Sequence, residues 1–191
     1  MSASNTDNLI IKSCRDGNLE EFSFLYDKYA DKIYNFIFYK TFHKQTAQDL
    51  VSVTFMKALE KLDRYDPKKG NFSSWLYRIA RNNVIDHYRS KKINLNIDDF
   101  WSLVSKDNVE KEVGAKKELD EVKKHITKLG QEQREIVIMR IWDELSYKEI
   151  SQVLGKSEAA CKMIFSRAIN SVRAELLPLL LIILITNYLN P

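Results

Sequence analysis

Apolar residues recur at three- and four-residue spacing through almost the whole chain, which predicts helices and leaves no run with the alternation of a strand. Leu9, Ile10 and Ile11 open a first helix, and Leu19, Phe22, Leu25, Tyr26 and Tyr29, then Ile33, Phe36, Ile37 and Tyr39, mark a second. The segment from about Asp7 to Tyr39 therefore reads as two helices, with Asp16, Gly17 and Asn18 supplying the turn and cap between them. A third helix is predicted from Lys44 to Leu62, with Ala47, Leu50, Val51, Phe55, Ala58, Leu59 and Leu62 along one side. RYDPKKG then breaks the pattern, because Pro67 and Gly70 in a polar stretch make a loop. A fourth helix follows, buried along Phe72, Trp75, Leu76, Ile79 and Ala80.

Periodicity fades from Ile93 to Gly114, which reads as a linker, and a second helical set runs from Ala115 to Glu175. The C-terminal stretch LLPLLLIILITNYLNP carries no charge. Its apolar run, Leu176 to Ile185, is about half the roughly 20 residues a membrane-spanning helix needs, and Pro178 is expected to interrupt it. A buried terminal helix is the favoured reading; contact with a membrane surface or a partner is the alternative, since such a run left exposed would be a large apolar patch. Two small helical domains joined by a flexible linker, all-α throughout, is the predicted fold class.

Within the second set, Ser146 precedes a short helix and Glu149 stands three residues on, the signature of a capping box. Ile150, Val153 and Leu154 form its apolar face, and Gly155 follows as a residue able to take positive φ. Ser157 can cap a second helix whose apolar positions are Cys161, Ile164, Phe165, Ala168 and Val172. A short helix, a glycine turn and a longer helix make a helix-turn-helix, although a plain helical hairpin uses the same devices. In the DNA-binding motif the start of the second helix approaches base edges. Those residues here are Lys156, Ser157, Glu158, Ala159, Lys162, Met163 and Ser166, with Arg167 and Arg173 placed for phosphates.

Charge sharpens the picture. The whole chain carries +4, yet Arg64 to Lys92 holds eight Lys/Arg against two Asp, so the remainder is slightly acidic at −2. The fourth helix thus combines Trp75, Tyr77 and Tyr88 with Arg78, Arg81, Arg89, Lys91 and Lys92. That asymmetry suggests an anionic partner, nucleic acid or a membrane surface, although a charge run is more often just a solvated face. Scarce Gly and Pro (5 and 3) agree with an all-helical protein. Two distant cysteines, Cys14 and Cys161, without metal spacing or a secretory signal, point to a reduced, cytoplasmic setting. No glycine-rich phosphate loop, metal-ligand cluster or cofactor motif is present, and His43, His87 and His125 are scattered, so neither an enzyme nor a bound cofactor is expected.

DLVSVTFMKALEKL, FSSWLYRIARNNVIDHYRSKK and LGQEQREIVIMRIWDELSYKEISQVLGKSEAACKMIFSRA resemble, in order and spacing, the characteristic regions of bacterial sigma factors. The nearest class is the small extracytoplasmic-function (group IV) type of the sigma-70 family. The resemblance implies that residues 1–92 form sigma region 2, 93–114 a linker, 115–175 sigma region 4 and 176–191 a hydrophobic tail. It implies no catalysis, and partners comprising core RNA polymerase (the clamp of the largest subunits), promoter DNA as duplex and single strand, and an anti-sigma factor. By this likeness, the loop Arg64–Ser74, with Arg64, Tyr65, Asn71 and Phe72, offers a pocket for a flipped −10 base, and Arg78, Arg81, Asn82, Asn83 and Arg89 lie along the strand. Melting needs a surface that grips single strands, by stacking bases on aromatics and holding the backbone with cations. Trp75 and Ile79 read as core residues that hold the helix.

The likeness further places Asp49, Leu50, Ser52, Val53 and Phe55 against the polymerase clamp, and Lys156, Ser157, Glu158, Ala159, Lys162, Met163, Ser166 and Arg167 at the −35 element. Ser52 and Val53 stand where the family usually carries Gln and an acidic residue, which shifts docking toward packing. The recognition helix has fewer basic residues than usual, so its DNA affinity should be weaker and less salt-dependent. Two rival readings are a conventional helix-turn-helix regulator that never joins polymerase, and a membrane-attached adaptor held by its tail. The first leaves the aromatic-basic helix without a purpose, and the second rests on the tail alone.

Overall fold

The computed structural model describes residues 3–90 and 128–189, with side-chain surroundings for 5–90 and 128–174. Helix α1 (Ala3–Arg15) turns through Gly17, at φ +110°, into a short 3-10 turn (Leu19–Glu21) and α2 (Phe22–Thr41). Helices α3 (Lys44–Glu60) and α4 (Phe72–Ser90) complete the first set. The second set comprises α5 (Gln131–Val137), a π-helical turn (Ile138–Trp142), α6 (Tyr147–Leu154) and α7 (Glu158–Leu189). Among the described residues there is no strand. The predicted linker and the start of the second set at Ala115 lie outside the described residues.

Helices α2, α3 and α4 pack side by side, with α1 closing one end. Their core is the predicted stripe of Leu25, Ile33, Phe36, Ile37, Ala47, Ala58, Leu76 and Ala80, all buried. Burying each large side chain contributes about 1.5–3 kcal/mol. An aromatic chain runs through this core, Tyr29 to Phe72 at 5.7 Å, Phe72 to Tyr65 at 5.8 Å and Phe72 to Trp75 at 5.6 Å. The 3-10 turn Leu62–Arg64 is tied down by Arg15, whose guanidinium donates to the carbonyls of Leu62 (2.6 Å) and Tyr65 (2.5 Å).

The helix-turn-helix forms as its sequence dictates. Ser146 Oγ accepts from the Glu149 amide at 3.3 Å and Glu149 Oε2 accepts from the Ser146 amide at 2.7 Å, closing the capping box. Gly155 sits at φ +67°, a conformation that would strain any residue with a Cβ. Ser157 Oγ caps α7 by accepting from the Ala160 amide at 3.2 Å.

One feature departs from expectation. The backbone of α7 continues through Pro178 to Leu189, so the proline does not interrupt the helix; a helix long enough on both sides tolerates the loss of one backbone donor. Whether that run is buried, as favoured above, concerns side chains outside those described. Among the described residues no helix is long and apolar enough to cross a membrane.

The arrangement of the two helical sets, which the sequence leaves open, is set by one shared core: Ile136, Ile138, Met139, Leu145, Ile150, Val153 and Cys161 pack in a single cluster with the residues of α1 to α4. A smaller satellite of Leu129, Val137 and Ala168 belongs to the second set alone. Helix α6 lies against α4, and the π-helical turn lies against α2.

Candidate nucleic-acid interface

Helix α4 begins at an unusual joint. Asn71 Oδ1 accepts from the Ser74 amide at 2.9 Å, capping α4, while Asn71 Nδ2 donates to Glu149 Oε1 at 2.6 Å. Because Glu149 also caps α6, one carboxylate joins the N-termini of two helices from different sets. Burial alone would raise the Glu149 carboxyl, but hydrogen bonds from Ser146 and Asn71 hold it below its ordinary value. Beside it, Ser74 Oγ donates to Gln152 Oε1 at 2.7 Å. The backbone at Gly70 comes so close that an added Cβ would stand 2.7 Å from Gln152 Oε1.

Two turns beyond Ser74, Arg81 Nε donates to Glu135 Oε2 at 3.0 Å, and Lys40 Nζ donates to Glu135 Oε1. The side chains of Lys40 and Glu135 are 2% and 1% exposed, whereas Arg81 keeps 26%. Burial pulls the Lys40 ammonium below its usual value. It would raise the Glu135 carboxyl too, but Lys40 and Arg81 outweigh burial and hold that acid down. Glu135 is therefore an ionised acid between two cations, each from the opposite helical set.

The proposed −10 residues divide by geometry. Arg64, Arg78, Asn82 and Arg89 are exposed, as are Lys68 and Lys69 on the loop. Tyr65 and Phe72 are 4% and 1% exposed and belong to the aromatic core. Asn83 is buried and ties α4 to α3, accepting from Lys57 Nζ at 2.7 Å and donating to Thr54 Oγ1 at 3.0 Å. Trp75 and Ile79 are half-buried, and Tyr77 is wholly buried. Much of the aromatic content of this helix thus holds it in place, and its exposed face is chiefly cationic.

On α3, Leu50 and Phe55 face the core, while Asp49, Ser52 and Val53 are exposed. Met56, 62% exposed, and Leu59 extend the same outer face with apolar surface that periodicity alone did not assign to a site. On α7, Glu158, Ala159, Lys162, Met163, Ser166 and Arg167 share one exposed face, and Ser157 is exposed at its cap. Lys156 is half-buried and pairs with Glu132 at 2.9 Å.

Sequence reasoning missed Glu135, Asp143 and Gln152, and read Glu149 as a helix cap without its partner Asn71. A signal existed for the cation of the joint: Lys40 falls at i+7 from Ile33, on the apolar stripe through Phe36 and Ile37. Asp143 lies in the same joint, its carboxylate close to the Tyr77 hydroxyl but out of good hydrogen-bonding geometry. Burial pushes this acid up to about 7, with Tyr77 and Lys32 drawing it back, and Tyr39 is the other titratable group it faces.

An acid raised on folding keeps its proton in the folded state, so its contribution is full below the ordinary carboxyl value. It is lost as pH rises from about 4 through about 7 and stays lost above. Asp143→Asn is therefore expected to be more stable than the parent at pH 8 by about 2–4 kcal/mol and nearly equal to it near pH 4. Urea unfolding of both proteins at the two pH values checks this; a constant difference across pH would refute it.

Comparison with known proteins gives these surfaces a context. The family model for Sigma-70 region 2 matches residues 25–93, and that for Sigma-70, region 4 matches residues 119–171. The chain is 33% identical over 176 residues to the ECF RNA polymerase sigma factor BldN of Streptomyces coelicolor, covering 88% of this chain and 65% of BldN. It is 29% identical to the ECF RNA polymerase sigma factor SigW of Bacillus subtilis, covering 87% of this chain and 94% of SigW. Among solved structures, CnrH in complex with the cytosolic domain of CnrY matches with a TM-score of 0.69 at 24% identity, over 89% of this chain and 96% of that one. RpoE in complex with the anti-sigma factor NepR from Bartonella quintana matches with a TM-score of 0.65, also at 24% identity, over 83% of this chain and 98% of that one. The exposed cationic face of α4 lies inside the first matched region and the helix-turn-helix inside the second, and with 31% identity to the ECF RNA polymerase sigma factor SigM of Bacillus subtilis, over 78% of this chain and 91% of SigM, the chain belongs to the extracytoplasmic-function group of the sigma-70 family.

Proposed function

We propose that this chain acts in the cytoplasm as a sigma subunit: it binds core RNA polymerase, brings it to promoters and helps open the −10 element, while the polymerase performs the chemistry. The observation that carries this is the pairing, in one chain, of an exposed cationic face on α4 with an exposed recognition face on α7. Arg78, Asn82 and Arg89 would follow the displaced strand, joined by Arg81, and Arg64, Lys68 and Lys69 would hold phosphates at the loop. Tyr65, Phe72 and Asn83 would shape the −10 surface from beneath instead of touching DNA, because they are buried. Lys162, Met163, Ser166 and Arg167 would approach duplex DNA at the −35 element, with Ser157, Glu158 and Ala159 at the start of that helix. Asp49, Ser52 and Val53, with Met56, would meet the polymerase clamp, and Leu50 and Phe55 would support them from the core.

Both solved neighbours were captured with a partner, the cytosolic domain of CnrY in one case and the anti-sigma factor NepR in the other. An anti-sigma partner for this chain follows by that precedent.

The test is transcription from a pool of genomic promoters by core polymerase with and without this protein. Promoter-specific transcripts are expected, and Arg78→Ala with Arg81→Ala should reduce them about 30–100-fold, two lost backbone contacts at about 1–1.4 kcal/mol each. The slope of log affinity against log salt for a pre-melted −10 bubble should fall by about 1 per residue removed. Duplex binding without polymerase binding or transcripts would instead indicate a conventional helix-turn-helix regulator.

A further inference from the structure

We propose that α1 is the positioning element of the −10 loop: Asp7, Asn8 and Arg15 fix both ends of the segment from Tyr65 to Phe72 and so set where the loop meets an unstacked base. Arg15 is thereby a positioning residue for base preference at the −10 element. This rests on the assignment of α4 and its loop to promoter DNA made above.

The entry to the loop is held by Arg15. Its guanidinium donates to the carbonyls of Leu62 at 2.6 Å and Tyr65 at 2.5 Å, so it spans the 3-10 turn that leads out of α3. The Tyr65 amide closes that turn onto the Leu62 carbonyl at 3.1 Å without help from Arg15. What Arg15 adds is the direction of the turn relative to α1. Asn8, two turns before Arg15 on the same side of α1, accepts from the Tyr65 hydroxyl at 3.1 Å. Buried Tyr65 is thus gripped at its backbone and at its ring tip by one helix. Asp63 is a loose third partner for Arg15, at 3.9 Å and 89% exposed, and a pair so exposed contributes little.

The exit is held through rings. Phe72 opens α4 and packs on Tyr65 at 5.8 Å and on Tyr29 at 5.7 Å. The Tyr29 hydroxyl donates to Asp7 Oδ2 at 2.6 Å, and buried Asp7 also accepts from Lys28. Asp7 therefore orients Tyr29, Tyr29 seats Phe72, and Phe72 meets the ring that Asn8 and Arg15 hold. Between these anchors the Lys68 amide donates to Asp66 Oδ1 at 2.9 Å and the Lys69 amide to the Asp66 carbonyl at 3.0 Å. Such local bonds shape the loop but do not place it. Arg64, Lys68 and Lys69 are exposed, so the side chains that would reach DNA project from a segment whose place α1 sets. Supports of a binding pocket have to hold it to within about 0.5 Å. Helix α1 ends before the region 25–93 matched by the Sigma-70 region 2 model, so that match assigns it no role.

The probe is a set of fluorescein-labelled pre-melted −10 bubbles that carry each of the four bases in turn at each position of the displaced strand. Each is titrated with core polymerase loaded with the full chain. Arg15→Ala is expected to lower the affinity ratio between the preferred base and the others about tenfold at one position, while affinity for core polymerase stays within about twofold. Lys12→Ala, the same charge change at an exposed position on α1, should leave every ratio within about twofold. Parent-like ratios for Arg15→Ala, or an equal loss on all four bases, would overturn the proposal, because Arg15 would then act through stability or net charge alone.

A second arm does not depend on Arg15. Asn8→Ala removes the acceptor of the Tyr65 hydroxyl and Tyr65→Phe removes the donor, so each should lower the ratio about threefold at the same position. The double variant should lose no more than either single one, because both remove one shared bond. Losses that add, or that fall at another position, refute the role of α1. A parent that shows no base preference at any −10 position would remove the loop from base reading and the proposal with it. A parent preference that survives all these substitutions would leave the promoter assignment intact and remove the role of α1 alone.

Discussion

Replacing Glu135 with glutamine is expected to cost about 3–5 kcal/mol, the largest single loss on this molecule outside the apolar core. The size follows from what remains. Lys40 is 2% exposed and would keep its charge with no acid beside it, while Arg81 adds like charge to the same space. Removing one partner of a buried ion pair costs about this much, whereas replacing the whole pair by apolar groups of similar size is often neutral. Lys40→Met with Glu135→Leu should therefore recover most of the loss, since Arg81, 26% exposed, can turn its guanidinium to water.

The loss should fall on the docking of the two helical sets and not evenly on the chain. Trp142, tilted against Tyr39 at 5.1 Å, reports on that docking. In urea, Trp142 fluorescence of Glu135→Gln should change at a lower midpoint than far-ultraviolet helicity, whereas the parent should show one coincident transition. Coincident transitions within about 0.5 kcal/mol of the parent's would show that the triad contributes little.

The second large effect concerns the outer face of α3. Val53→Glu with Met56→Glu is expected to weaken binding to core polymerase at least about hundredfold, because apolar anchors at the centre of an interface commonly carry about 2 kcal/mol or more each. Both residues are exposed, Val53 at 37% and Met56 at 62%, so the fold should lose no more than about 0.5 kcal/mol. Leu50→Ala or Phe55→Ala separates docking from folding. These side chains are 7% and 4% exposed, and truncating them should cost about 2–5 kcal/mol of stability. Pull-down with core polymerase, read beside thermal melting, distinguishes the cases. Retained polymerase binding by the Val53→Glu, Met56→Glu protein would move the docking surface elsewhere.

Local structure was legible in the residues wherever a short-range rule governs it. The turn at Gly17, the capping box of Ser146 and Glu149, the left-handed Gly155 and the cap at Ser157 each depend on neighbours within about four positions. The apolar stripes of α2, α3, α4 and α6 followed from helical period, and so did the identity of Leu25, Phe36, Ala58 and Ile150 as core. The cationic bias of α4 and the order of the three motifs carried the family. Periodicity was weaker at the boundary between side chains that face a partner and those that face the core, as Asn83 and Leu59 show. Asn83 reads as a polar strand contact and is buried by Lys57 and Thr54; Leu59 reads as part of the α3 stripe and is exposed.

The helical period thus determined that α1 to α4 and the helix-turn-helix are helical, and the order of the three motifs identified the family. Tertiary structure alone decided that Glu135 meets Lys40 and Arg81, that Glu149 reaches Asn71, and that the two sets share one core. These contacts join residues 54 to 95 positions apart. No local preference encodes such a pairing, because its free energy comes from desolvating charge and apolar surface together, and that happens only once both helical sets are formed and packed.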